Sequence, residues 1–149
     1  MTSPHTPTGV DRYRQVDADS TAFSDRCRLI QMLFDGGVER LAQARAAVMH
    51  GDRAARIRLI GKAFDIIAGL RSALNLERGG EIARNLDDLY DYMQRRLVMA
   101  NSREDVAIID EVLHLLTEIR EGWKSIPPEV REDPSAHVEL SGSAGKVVE

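Results

Sequence analysis

Every proline in this 149-residue chain lies outside residues 13–126: Pro4 and Pro7 precede that stretch, and Pro127, Pro128 and Pro134 follow it. Proline lacks the amide donor a helix needs and clashes with the preceding turn, so an interior this long without one is open to long helices. The apolar residues recur there in steps of three and four, the helical signature. A first helix is predicted to start at Ser24 or Asp25, either of which can cap a first turn, with Ile30, Leu33, Phe34, Gly37, Leu41, Ala44 and Val48 on one face. His50-Gly51-Asp52 then offers a stop, a permissive glycine and a new cap. The second helix is expected over about Arg53–Asn75, with Ile60, Ala63, Phe64, Ile67, Leu70 and Leu74 inward. Gly79-Gly80 reads as the next break. A third helix over about Glu81–Ala100 presents Ile82, Leu86, Leu89, Tyr90, Met93 and Leu97. Asn101 is expected to end it, and Ser102-Arg103-Glu104-Asp105 has the spacing of a capping box for the fourth. That helix carries Ile108, Ile109, Val112, Leu115, Leu116, Ile119 and Trp123 before Pro127-Pro128 forbids continuation.

Short links between long helices make neighbours antiparallel. The expected fold is therefore all-α, an up-down-up-down four-helix bundle over residues 24–126. A flexible N-terminal arm (1–23) and a disordered acidic tail (127–149) flank it. The tail holds five acids and two bases, or −3 of the chain's net −4, which leaves the body near neutral.

Several function classes are excluded by what is missing. A near-neutral body of interspersed Arg and Glu has no basic footprint for nucleic acid. No apolar run approaches the ~18 residues of a membrane span, and Met1–Val10 is polar and Pro-rich rather than a signal peptide. The single Cys27 admits no internal disulfide, which fits the cytosol. Glu111-Val112-Leu113-His114 has the spacing of a di-iron ligand pair, but such a site needs two copies and two further inward Glu residues. Glu111, His114 and Glu118 fall instead on the polar side of their helix. The acidic Asp87, Asp88 and Asp91 read as a solvated face, Gly36-Gly37 as a place for close helix approach. Neither Gly pair follows a strand or has phosphate-loop spacing. No histidine sits in a phosphotransfer pattern. No catalytic residue, metal site or cofactor is predicted.

The helices carry more apolar surface than one core needs. A helix buried on one side needs a stripe of roughly 100°, and in the second helix Ile57, Leu59, Ile60, Phe64, Ile66 and Ile67 sweep wider. The third has a flanking line Asn85, Tyr92, Met99, and the fourth Val106 and Leu113, each spaced by seven. These flanks either pack against neighbouring helices or leave an apolar groove for an amphipathic helix. Ahead of the first helix, Tyr13, Val16, Ala22 and Phe23 form a sparse apolar segment, readable as an irregular leader or as a detachable lid.

Leu29-Ile30-Gln31-Met32-Leu33-Phe34-Asp35-Gly36, Lys62-Ala63-Phe64-Asp65-Ile66-Ile67-Ala68-Gly69-Leu70, and Gly79-Gly80-Glu81 with Asn85-Leu86 and Leu89-Tyr90-Asp91-Tyr92-Met93 resemble, in this order, the helices of the flagellin export chaperone family, FliS. Ala100-Asn101 with Asp105, Val112, Leu115-Leu116 and Trp123 continue the likeness, which covers residues 13–126. Where the family often has Ser-Pro-His-Gln before the first helix, this chain has Ser24-Asp25-Arg26-Cys27-Arg28.

The resemblance implies a non-enzymatic cytosolic protein whose partner is the disordered C-terminal segment of flagellin, carried as a complex to a component of the flagellar type III export gate. The residues expected to contact that partner are Ile57, Phe64, Tyr92, Met99, Val106 and Leu113, with Tyr13 on a displaceable arm. A monomer or weak homodimer is expected. The alternative is a bundle scaffold or regulator that homodimerises through the same apolar groove.

Overall fold

The computed structural model describes residues 9–126, with side chains placed from residue 21 onward. Regular structure among them is four α-helices: α1 (Gly9–Met49), α2 (Arg53–Ser72), α3 (Leu76–Arg103) and α4 (Val106–Lys124). Links of two or three residues (50–52, 73–75, 104–105) reverse the chain each time. Helix α1 packs on α2 and α4, and α3 packs on the same two, while the diagonal pairs scarcely touch. That is the up-down-up-down bundle. The acidic tail (127–149) lies outside the described residues, as do residues 1–8 of the arm and the side chains of Tyr13 and Val16.

The helix ends depart from expectation at several points, α2 among them, since it ends at Ser72 rather than at about Asn75. Helix α1 starts at Gly9, not at Ser24 or Asp25. Both residues can cap a helix, but neither stops one, and no proline or glycine separates them from Gly9. Helix α3 begins at Leu76, with the Asn75 side chain accepting the Arg78 amide at 3.0 Å. Its break at Gly80 (φ 53°, ψ −131°) is a kink inside the helix, in a region that favours glycine. At its other end α3 runs past Asn101 to Arg103, and Glu104 adopts a left-handed conformation (φ 54°). The expected capping box does not form: Ser102 Oγ donates back to the Met99 carbonyl at 3.1 Å, and Asp105 caps α4 by accepting the Ala107 amide at 2.9 Å. The α1–α2 turn is as expected, with Gly51 at φ 71° and Asp52 accepting the Ala55 amide at 3.1 Å.

Phe34, Leu41, Ile67, Tyr90, Met93, Leu97, Ile109, Val112 and Leu116 are essentially solvent-free. Burying a side chain of this size contributes roughly 1.5–3 kcal/mol, so this layer supplies the bulk of the stability. At one end of the bundle Phe34 meets Trp123 with ring centroids 6.2 Å apart, and Trp123 Nε1 donates to Gln31 Oε1 at 3.1 Å. At Gly37 α1 comes close to its neighbours, and a Cβ there would meet Leu116 and Ile66.

Arginines stitch the helices on the outside. Arg45 joins α1 to Asp110 of α4 at 2.7 Å, and Arg120 of α4 lies 3.6 Å from Asp35 of α1. Asp87 and Asp91, expected to be merely solvated, both accept from Arg71 of α2. The hydrogen bond to Asp87 foremost holds the Arg71 guanidinium above its ordinary pKa.

Candidate functional site

Six of the seven residues expected to contact a partner have described side chains, and the structure distributes them over two seams. On the α2–α3 seam, Ile57 is exposed and Phe64 is half-buried. Phe64 lines an open groove of about 230 Å³ with Ile60, Gly61, Val98 and Asn101. Val98, at 60% exposure, is among the most exposed large apolar side chains of the bundle. Ile57 stands one turn before Gly61 on the same face of α2.

The second seam, α3 against α4, holds Tyr92 and Met99 around an ion pair. Tyr92 donates its hydroxyl proton to Glu111 at 3.1 Å, Arg96 Nε donates to the same carboxylate at 2.8 Å, and the Met99 sulfur accepts from Arg96 at 3.2 Å. The bond to Glu111 raises the Arg96 pKa. Glu111 is therefore a bridge between helices rather than a solvated carboxylate, and Tyr92 and Met99 are half-buried in the same network. Leu113 packs against the core from α4, and Val106 is half-buried at that helix's first residue. The side chain of Tyr13 lies outside the described residues.

Gly61 and Val98 are not among the residues the sequence singles out, and Asn101 is expected there only as a helix end and as part of the family likeness. Val98 follows the core residue Leu97 and was hidden by it. Gly61 had a signal, since a glycine inside an exposed helical turn costs stability and calls for a reason. A further apolar groove, about 480 Å³, lies between α1 and α2 and is lined by Leu29, Ile30, Leu33, Gly69 and Ala73 among others. With Leu29 and Met32 exposed at 54% and 63%, apolar surface extends well beyond the α2–α3 seam.

No group of His, Cys, Asp or Glu among the described residues could hold a metal. His114 pairs with Glu118 at 3.2 Å on the surface of α4. Among the described residues no helix is long and apolar enough to cross a membrane. What the arrangement offers is exposed apolar relief on rigid helices, a geometry suited to receiving a helix from another chain.

Residues 9–130 match the family model described as flagellar protein FliS. The chain is similar to a flagellar secretion chaperone, FliSB, of Pseudomonas aeruginosa, 50% identical over 116 residues that span 77% of this chain and 92% of the relative. It is similar to the flagellar secretion chaperones FliS of Salmonella typhimurium (46% identical; 83% of this chain, 93% of the relative) and Vibrio cholerae (40% identical; 85% and 93%).

Proposed function

This chain belongs to the FliS family of flagellar secretion chaperones, and from that premise we propose that it binds the disordered C-terminal segment of flagellin in the cytosol, prevents its premature polymerisation and aids its delivery to the export gate. The family is one of chaperones, not enzymes. The observation that carries the finer reading is the open apolar groove between α2 and α3, where the exposed Val98 lines the same space as Phe64, with Ile57 exposed two turns earlier on α2.

The physics of the task suits that surface. A segment that assembles through amphipathic helices exposes their apolar faces while free, and a groove that covers those faces removes the driving force for self-association. A segment that folds on binding loses conformational entropy at that moment, so it needs a wide contact to reach useful affinity. Apolar surface on more than one seam of the bundle provides that width. Moderate net affinity in turn permits release at the membrane.

Substituting the exposed Ile57→Asp and Val98→Asp tests the assignment without touching the core. Each places a charge in a contact meant to be dry, and the expected loss of affinity for a peptide of the flagellin C-terminal segment is about tenfold or more, with the helical circular dichroism unchanged. Wild-type affinity in both variants would remove the α2–α3 groove from the binding surface.

A further inference from the structure

The α1–α2 seam has an apolar end and a basic end. Leu29, Leu33, Gly69 and Ala73 line the open groove at the apolar end, where Asp25 and Arg26 on the rim offset each other. On α2, Lys62 and Arg58 stand seven and eleven residues before Gly69, two and three turns along the same face. Both are exposed, and neither has an ion-pair partner among the described residues. The seven residues from Gly69 to Lys62 rise about 10 Å.

The chain delivers a segment of matching order to the apolar end. Helix α4 runs antiparallel to α1, with Asp110 against Arg45, Arg120 against Asp35 and Trp123 against Gln31. The same progression sets the buried Ile126 level with Leu29. Four further residues reach roughly 13 Å, enough to pass one helix of about 10–12 Å diameter, so Val130 can arrive at the groove. Glu132 and Asp133 follow within three residues, about 10 Å of reach, the same span that separates Gly69 from Lys62. The family match stops at residue 130, so these two acids lie beyond it.

We infer that residues 127–133 fold back along the α1–α2 seam of their own chain, with Val130 against Leu29, Leu33 and Gly69 and the Glu132 and Asp133 carboxylates facing Lys62 and Arg58. A short tether holds such a segment at an effective concentration on the order of millimolar. A contact too weak between separate molecules is thereby filled within one chain. The consequence is a covered apolar face, withheld from other chains until the segment is displaced. It is a different face from the α2–α3 groove, and the assignment does not depend on the client proposed above.

Disulfide trapping in the full chain tests this, with Cys27→Ala as the common background so that only introduced thiols react. Ser135→Cys, just beyond the two acids, is paired either with Lys62→Cys on the α1–α2 side or with Val98→Cys at similar height on the α2–α3 side. Lys62 and Val98 are exposed, so neither change disturbs the core, and Arg58 remains to hold the carboxylates. The first pair is expected to close about tenfold or more faster than the second. Adding Glu132→Lys and Asp133→Lys should remove the preference, with the helical circular dichroism unchanged. Equal rates for the two pairs would mean an unattached segment and overturn the inference. Faster closure onto position 98 would seat the segment in the α2–α3 groove, and disulfides formed chiefly between molecules would give the α1–α2 face to a second copy; either result overturns it as well.

Discussion

Gly37 of α1 and Leu116 of α4 approach so closely that a Cβ on Gly37 would lie 2.8 Å from Leu116 Cδ2, with Ile66 Cγ2 of α2 at 3.2 Å. Leu116 is fully buried, so it cannot swing aside into solvent. Gly37→Ala gains about 0.5–1 kcal/mol of helix propensity but overpacks a close-packed layer at a cost of about 1–3 kcal/mol. The net expectation is destabilisation. Gly61→Ala gains the same propensity and meets nothing, so it raises stability by about 0.5–1 kcal/mol. Urea unfolding of the two variants should show the same chemical change with opposite signs.

Arg56 is buried, with its guanidinium paired to Glu104 and its Nε without a partner. Removing the carboxylate leaves a cation in a poorly hydrated place. Glu104→Ala is therefore expected to cost about 1–2 kcal/mol, the modest figure reflecting the 60% exposure of the Glu104 side chain. Arg56→Met removes the orphaned nitrogen as well as the charge and keeps the stem's packing, so it should cost less. Chemical denaturation of both variants gives the order, and a milder Glu104→Ala would show the pair to be idle.

Tyr90 is fully buried, and burial pushes its phenol above the ordinary tyrosine value. The sign follows from linkage: the unfolded chain releases this proton near pH 10 while the folded protein holds it. The contribution of Tyr90 is complete below the unfolded pKa and declines as pH rises from there toward the folded value. Unfolding in the alkaline range should move to higher pH in Tyr90→Phe, read by circular dichroism along a pH titration. An unchanged alkaline midpoint would assign that unfolding to other groups.

The bundle was legible because spacing and breakers agreed. The stripe from Ile108 to Trp123, the Asp52 cap and the proline limits each pointed to the same helices, and the residues predicted inward are buried or half-buried. What was not legible depends on partners distant in sequence. Nothing local says that Arg56 is buried, since its carboxylate arrives from the α3–α4 link, nor that Gln94 is buried with its amide on the Phe64 carbonyl. The α1 start was missed because Ser24 and Asp25 are compatible with a helix interior as well as a cap. In the α2–α3 groove, the α2 side at Phe64 is legible as excess apolar width on that helix. The groove's α3 wall is not, because Val98 and Asn101 flank the core residues Leu97 and Ala100, and periodicity assigns the stronger neighbour first.

If this bundle folds a disordered client onto its apolar faces, that coupling must show in the heat of binding. Titration calorimetry of the full chain against a peptide of the C-terminal segment of a flagellin from the same genome, repeated at several temperatures, tests it most directly. The expected result is one-to-one binding with a strongly negative heat-capacity change, the mark of apolar burial coupled to folding. A helical, correctly folded protein that gives no binding heat at any temperature and leaves the peptide's circular dichroism unchanged would contradict it.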